Sequence, residues 1–165
     1  MKIPGYRLGE ELAHTEHTTV QRAVRERDGK RVIIKACSRE FPAQAEVRRL
    51  EFEHRLLGKL RGPGVIEALE LVHTGRGPAL VLEDFGAQSL ATRALPLSLG
   101  TFFEIATAAV TALGRVHGLQ VIHRDIKPAN LLVSATSGEL KLIDFQVASE
   151  ISRERQDVSV GEHLE

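Results

Sequence analysis

Apolar and polar positions alternate through the first part of the chain, and then the period changes. Residues 5 to 37 read as strands. "YRLGEELA" makes a first strand. "TTVQRAVRERDGKRVIIKAC" makes two more, joined at Asp28-Gly29, a dipeptide suited to a tight hairpin turn. From 42 to 61 the spacing is helical: Val47, Leu50, Leu57 and Leu60 share a face, and Pro42 suits the first turn. Glu53 lies three after Leu50 and four before Leu57, on that apolar face. Either it sits at the edge and reaches water, or it needs a buried partner. "GPG" at 62 to 64 ends the helix. "IEALELVHT" and "ALVLEDF" read as two further strands around "GRG", and "DFGAQS" as a connector. A second helix is expected from Ser98, a plausible N-cap, to His117, with Ile105, Ala109, Leu113 and Val116 as its buried stripe. After Gly118 come a short strand and then "NLLV" and "ELKLIDF" as a hairpin around "ATSG".

The β-β-β-α-β-β order predicts an α+β fold, a small antiparallel sheet with one helix packed on it. The chain divides into a β-rich half, 1–85, and a half, 86–165, that starts helical and ends in a hairpin. Its 165 residues suffice for one domain with a real core. Zero net charge and the absence of a basic block argue against nucleic acid or an anionic membrane as main partner. Cys37 is the one cysteine, which excludes an intrachain disulfide and fits a reducing, cytoplasmic compartment. The N-terminus lacks the apolar core of a signal peptide, and no apolar run approaches the ~20 residues of a membrane span.

The stretch "HRDIKPANLLV", 123 to 133, concentrates charge on a loop. If the hairpin closes, Asn130 and Asp144 come near each other. One carboxylate and one amide oxygen, completed by water and phosphate oxygens, suit Mg²⁺. Asp125 is then free to orient or deprotonate a hydroxyl, and Lys127 to steady a transferring phosphoryl group. The chemistry implied is phosphoryl transfer, in which positioning and charge neutralisation do most of the catalysis.

"HRDIKPAN" followed by "LIDF" resembles the catalytic loop and metal-binding segment of the protein kinases. "RVIIK" resembles their third-strand lysine motif. The resemblance implies a kinase-like fold: an antiparallel sheet lobe with one helix, then the start of a mainly helical lobe. It implies ATP and Mg²⁺ as cofactors and a protein with a serine or threonine acceptor as substrate. Lys35 becomes the phosphate-contacting lysine and Glu53 the helix glutamate paired with it. "LVLEDF" resembles the adenine connector, with backbone groups near Glu83, Asp84 and Phe85. Val20 and Leu132 would sandwich the base, with Ile33 beside it. Asp125 is the implied catalytic aspartate, Lys127 the loop lysine, Asn130 and Asp144 the metal ligands, and His123 and Phe145 a stack beneath the site. More narrowly, "IPGYRLGEEL", "VIIK", "LVLEDFGAQSL" and "LIDFQVASEISRE" resemble the N-terminal kinase module of large bacterial hybrid signalling proteins, in which further signalling domains follow.

The resemblance has gaps. Alignment on Val20 puts Ala13, Thr15 and Thr18 where the phosphate-covering loop of the family carries glycines, and Glu16 adds negative charge that His14 and His17 partly offset. Gln146 replaces the glycine after Asp144-Phe145. Ile33 stands where alanine is common, narrowing the pocket. The family's domain is longer, so the chain reads as one cut short within the activation segment, where Arg124 would face a modified residue such as Ser159. Weaker nucleotide binding and altered switching are expected. Two other readings compete: a pseudokinase that binds nucleotide without catalysis, and a small-molecule kinase of the aminoglycoside type, against which Arg124 and Lys127 argue.

Overall fold

The computed structural model describes residues 2–94 and 96–151. Ser159 and the rest of the C-terminal stretch lie outside the described residues. A five-stranded antiparallel sheet is built from β1 (Tyr6–His14), β2 (Thr18–Arg25), β3 (Arg31–Cys37), β4 (Ala68–Thr74) and β5 (Gly77–Glu83) in the order β1-β2-β3-β5-β4. The Asp28-Gly29 turn joins β2 to β3 as expected, with Gly29 at φ 69°. Between β3 and β4 lies α1 (Gln44–Lys59). Pro42 therefore stands just ahead of the helix rather than in its first turn.

Strand alternation gives the sheet two buried faces. Val32, Ile34 and Ala36 join Ala79 and Val81 on one face, under a hook formed by Ile3 and Tyr6. Cys37, Leu80 and Leu82 join Leu50, Leu56 and Leu57 of α1 on the other, in the main core. Lys35 alternates onto this α1 face, and that places it for the site.

The "GPG" turn packs against the second helix, α2 (Leu99–Gly118). Gly62 (φ 133°) and Gly64 (φ 79°) both take positive φ, and an added Cβ would come within 2.6 Å of Arg115 and Ala112 respectively. No other residue type fits either place. Arg115 uses this close approach to donate to the carbonyl oxygens of Leu60, Arg61 and Pro63, satisfying the end of α1. Ser98 caps α2 through Thr101 N at 3.1 Å. The α2 stripe differs from the expected one: Ile105, Ala112 and Val116 are buried, while Ala109 and Leu113 are half-buried. By length and composition α2 could cross a membrane, although no apolar run of that length was expected. Its contacts with β7 (Val121–Ile122) and β9 (Leu140–Leu142) make it a helix packed on one side of the core.

The expected hairpin forms from β8 (Leu131–Ser134) and β9. It gains a third strand, β6 (Ala87–Ser89), from the stretch expected to be a plain connector. A final short strand, β10 (Ser149–Glu150), pairs with β7. Leu142 also exchanges backbone hydrogen bonds with Gly64 and Ile66, which ties this hairpin to the end of the sheet half.

Candidate active site

Lys35 is the centre of the site. It stands on β3 with its side chain 9% exposed. Its ammonium donates to both carboxylate oxygens of Glu53, at 3.1 and 2.8 Å, and to Asp144 Oδ1 at 2.8 Å. Glu53, on α1, is 1% exposed and also accepts from Phe145 N at 3.1 Å. The reading of Glu53 as an edge residue reaching water is thus overturned. A buried carboxylate is tolerated on this apolar face because two donors, the Lys35 ammonium and the Phe145 amide, meet it with three hydrogen bonds.

Burial works against both charges. At Lys35 the attraction of Glu53 and Asp144 outweighs it and holds the ammonium pKa above its ordinary value. At Glu53 burial pushes the carboxyl up, against the pull of Lys35 and the Phe145 amide. The three hydrogen bonds that Glu53 accepts are those of an ionised acceptor, so the pair is ionic. Three segments distant in sequence, β3, α1 and residues 143–145, are pinned together here.

The loop from 123 to 130 forms a second cluster. Asp125 Oδ2 accepts from Lys127 Nζ at 2.7 Å and from Asn130 Nδ2 at 2.9 Å. The Lys127 hydrogen bond, aided by Asn130, lowers the Asp125 pKa, so the carboxylate is an acceptor at neutral pH. Asn130 is buried and donates again, to the Asp125 carbonyl at 2.8 Å. Its own carbonyl accepts from Ile143 N at 3.1 Å, which sets the loop against the strand leading to Asp144. His123, also buried, accepts from Asp125 N on Nδ1 at 3.3 Å and donates from Nε2 to Ile143 O at 2.9 Å. This fixes the Nε2–H tautomer, and burial lowers the pKa so that the ring is neutral. The Phe145 ring packs on it at 4.4 Å between centroids.

Could these residues hold Mg²⁺? Among the described residues no group of three His, Cys, Asp or Glu side chains converges on a point. Asn130 and Asp144 offer one amide and one carboxylate. The Asn130 amide nitrogen is committed to Asp125, so its oxygen is the group left to face a cation. So sparse a donor set fits an ion that keeps water and takes phosphate oxygens, the habit of Mg²⁺. The residues therefore fit Mg²⁺ carried with a nucleotide better than Mg²⁺ alone.

Val20 and Ile33 lie on the same sheet face as Lys35, with Val20 opposite Lys35 and Ile33 opposite Arg22. Leu132 is on β8. All three, and Phe85, are half-buried. The connector side chains are engaged structurally: Glu83 accepts from Lys141 at 2.6 Å and from Glu67 N at 2.8 Å. Asp84 Oδ2 lies 3.6 Å from Arg22 and 3.5 Å from Arg31. The two arginines were not singled out in the sequence, because β-strand register alone does not say which surface charge meets a connector.

Two expected defects look different in three dimensions. Ala13, Thr15 and Thr18 do not take positive φ, so this loop does not use the freedom glycine would give. Glu16 is neutralised by Arg39, and His17 meets Glu46 at 2.5 Å. Nor does Gln146 take a positive φ. The left-handed residue of the triplet is Asp144, at φ 66°, and Arg124 is another, at φ 68°. Among the described residues the non-glycine positions at positive φ are Gln120, Arg124 and Asp144, so the left-handed backbone near the site lies at Arg124 and Asp144 and not at the position of the missing glycine.

Comparison with known proteins agrees with this geometry. Residues 6–163 match the family described as protein kinase domain. The chain is 30% identical over 155 residues to serine/threonine-protein kinase PknA of Mycobacterium tuberculosis, covering 88% of this chain and 36% of that protein. It is 28% identical over 159 residues to a probable serine/threonine-protein kinase of Dictyostelium discoideum (94% and 32%), and 30% identical over 125 residues to pkn2 of Myxococcus xanthus (73% and 15%). It spans about a third or less of the length of these relatives. The sheet with its single helix, the site assembled on it and the match over residues 6–163 agree: the chain belongs to the protein kinase domain family.

Proposed function

We propose that the chain transfers the γ-phosphoryl group of ATP to a serine or threonine hydroxyl of a protein in a bacterial signalling pathway. The observation that carries this reading is the Lys35 ammonium held between Glu53 and Asp144, beside an ionised Asp125. Lys35, freed from Asp144 as nucleotide enters, holds phosphate oxygens while Glu53 keeps it in place. Val20, Ile33 and Leu132 enclose the base, and backbone groups from Glu83 to Phe85 take its polar edge. Asp125 accepts a hydrogen bond from the substrate hydroxyl and receives its proton as the new O–P bond forms and the bond between the γ-phosphorus and the bridging oxygen breaks, releasing ADP. Lys127 lies within 2.7 Å of Asp125 and offsets charge on the transferring group. Asn130 and Asp144 would hold Mg²⁺, which neutralises phosphate charge when bound. The acceptor is a protein that presents a serine or threonine side chain in the cytoplasm.

The test is Asp125→Asn in a peptide phosphorylation assay with ATP and Mg²⁺. Loss of the base should slow transfer by roughly 10²–10⁴-fold while leaving nucleotide affinity unchanged. Retained transfer would remove Asp125 from the mechanism. Transfer to a small alcohol in preference to a peptide would move the acceptor to another class.

A further inference from the structure

The loop between β1 and β2 is closed on itself and then fastened elsewhere. Thr15 N donates to Thr18 O at 2.9 Å, and Thr18 N donates to Thr15 Oγ1 at 3.0 Å. Ser38, just after β3, donates through N to His17 O at 3.1 Å and through Oγ to Thr15 O at 2.9 Å. Arg39 pairs with Glu16. The loop tip therefore rests on the segment that leads into α1.

Glu46 is the point where loop and helix meet. Its side chain is 7% exposed, unusual for a carboxylate in the first turn of a helix. Both oxygens are committed. Oε2 accepts from Ala43 N at 2.8 Å and so caps α1, while Oε1 meets His17 Nδ1 at 2.5 Å. One buried carboxylate thus joins the start of the helix to the loop. Glu46, Leu50, Glu53 and Leu57 form one buried line along α1. Glu46 and Glu53 are seven residues apart, two turns and about 10 Å along a rigid rod. Movement at the Glu46 end is carried to the carboxylate that holds Lys35.

We propose that His17 and Glu46 form a latch between the β1–β2 loop and α1, acting as positioning residues for nucleotide through the Lys35–Glu53 pair. In a glycine-free loop, side-chain contacts replace backbone freedom as the means of setting loop position. The bland alternative is a surface ion pair of no consequence, since an exposed pair adds little. The burial of Glu46 and its double engagement argue against that. The proposal rests on the phosphotransfer reading for its effect on nucleotide, but not for the latch itself.

Two readouts on the 165-residue chain test it. Amide hydrogen exchange without nucleotide, at Thr15 to Thr18 and along α1, reads the latch alone. The Michaelis constant for ATP reads its effect. His17→Ala should speed exchange at the loop and raise the ATP constant about fivefold or more, with the maximal rate little changed. Glu46→Gln keeps an acceptor for Ala43 and should do the same. The double variant should be no worse than either single one, and His17→Arg should restore both readouts. Unchanged loop exchange in His17→Ala, or additive effects in the double variant, would overturn the latch. If even the unaltered chain transfers no phosphoryl group, the phosphotransfer reading fails, and the exchange data still decide the latch.

Discussion

The two long helices invert the usual sorting of side chains. Helix α1 buries a glutamate at 1% exposure, among Leu50, Leu56 and Leu57. Helix α2 buries Ile105, Ala112 and Val116 but leaves Leu99 76%, Phe102 52%, Phe103 62% and Val110 69% exposed. The difference is one of partners. α1 lies on a sheet whose other face is covered by the Ile3–Tyr6 hook, so its surroundings are complete, and Glu53 is admitted because Lys35 and Phe145 N satisfy it. α2 meets β7 and β9 along one stripe, and among the described residues nothing covers the rest. Polarity therefore does not rank these residues by burial. Satisfied hydrogen bonds and available neighbours do.

The largest expected effect follows from that contrast. Lys35→Ala leaves Glu53 buried with one donor, the Phe145 amide, and should cost about 3–5 kcal/mol, the usual penalty for orphaning a buried charge. Lys35→Met combined with Glu53→Leu should recover most of it, at the expense of the site. Urea unfolding midpoints of the single and double variants decide the matter. A double variant as unstable as Lys35→Ala would mean that the pair contributes net stability and is more than a satisfied functional group.

A somewhat smaller effect separates the helices directly. Leu50→Ala removes a side chain that is 1% exposed and should cost roughly 2–5 kcal/mol. Phe103→Ser on α2 should shift stability by no more than about 0.5 kcal/mol, and soluble yield should rise as an apolar patch is broken. Thermal unfolding with light scattering checks both. A large loss from Phe103→Ser would show that the outer face of α2 is covered in solution.

Most of the clustering at the candidate site was legible because its residues are chemically improbable where they stand. A glutamate at helical spacing between leucines, and an Asp, a Lys and an Asn packed around one proline, are hard to explain as surface. The hairpin that brings Asn130 toward Asp144 was legible from two apolar runs and a turn. The stripe of α2 was not: an almost uniformly apolar helix carries little phase information, so Ala112 could not be told from Ala109. The β6 strand was missed because three residues of "AQS" have no periodicity and pair only once β8 is in place. The His17–Glu46 contact was missed for another reason. It joins residues 29 apart through a loop whose missing glycines drew attention to what it lacks and away from what it touches.

The smallest expected effect concerns His123, which follows β7 and packs on Phe145. It is 1% exposed, and burial lowers its pKa below the usual histidine value near 6.5. Well above pH 6.5 the ring is neutral in both folded and unfolded chains and adds no pH dependence. As pH falls below 6.5 the unfolded chain binds a proton that the folded chain resists, so stability declines. The decline ends once pH passes the lowered folded value, where both states are protonated. Denaturation midpoints between pH 7.5 and 5.5 should fall for the unaltered chain and stay flatter for His123→Gln. Asp125, whose pKa is lowered, loses its contribution only at lower pH, and Glu53, whose carboxyl is pushed up by burial, is the same in both proteins, so the difference between the two slopes belongs to His123. Equal slopes in the two proteins would place the titration on another histidine and leave His123 as a purely geometric brace between Asp125 and Ile143.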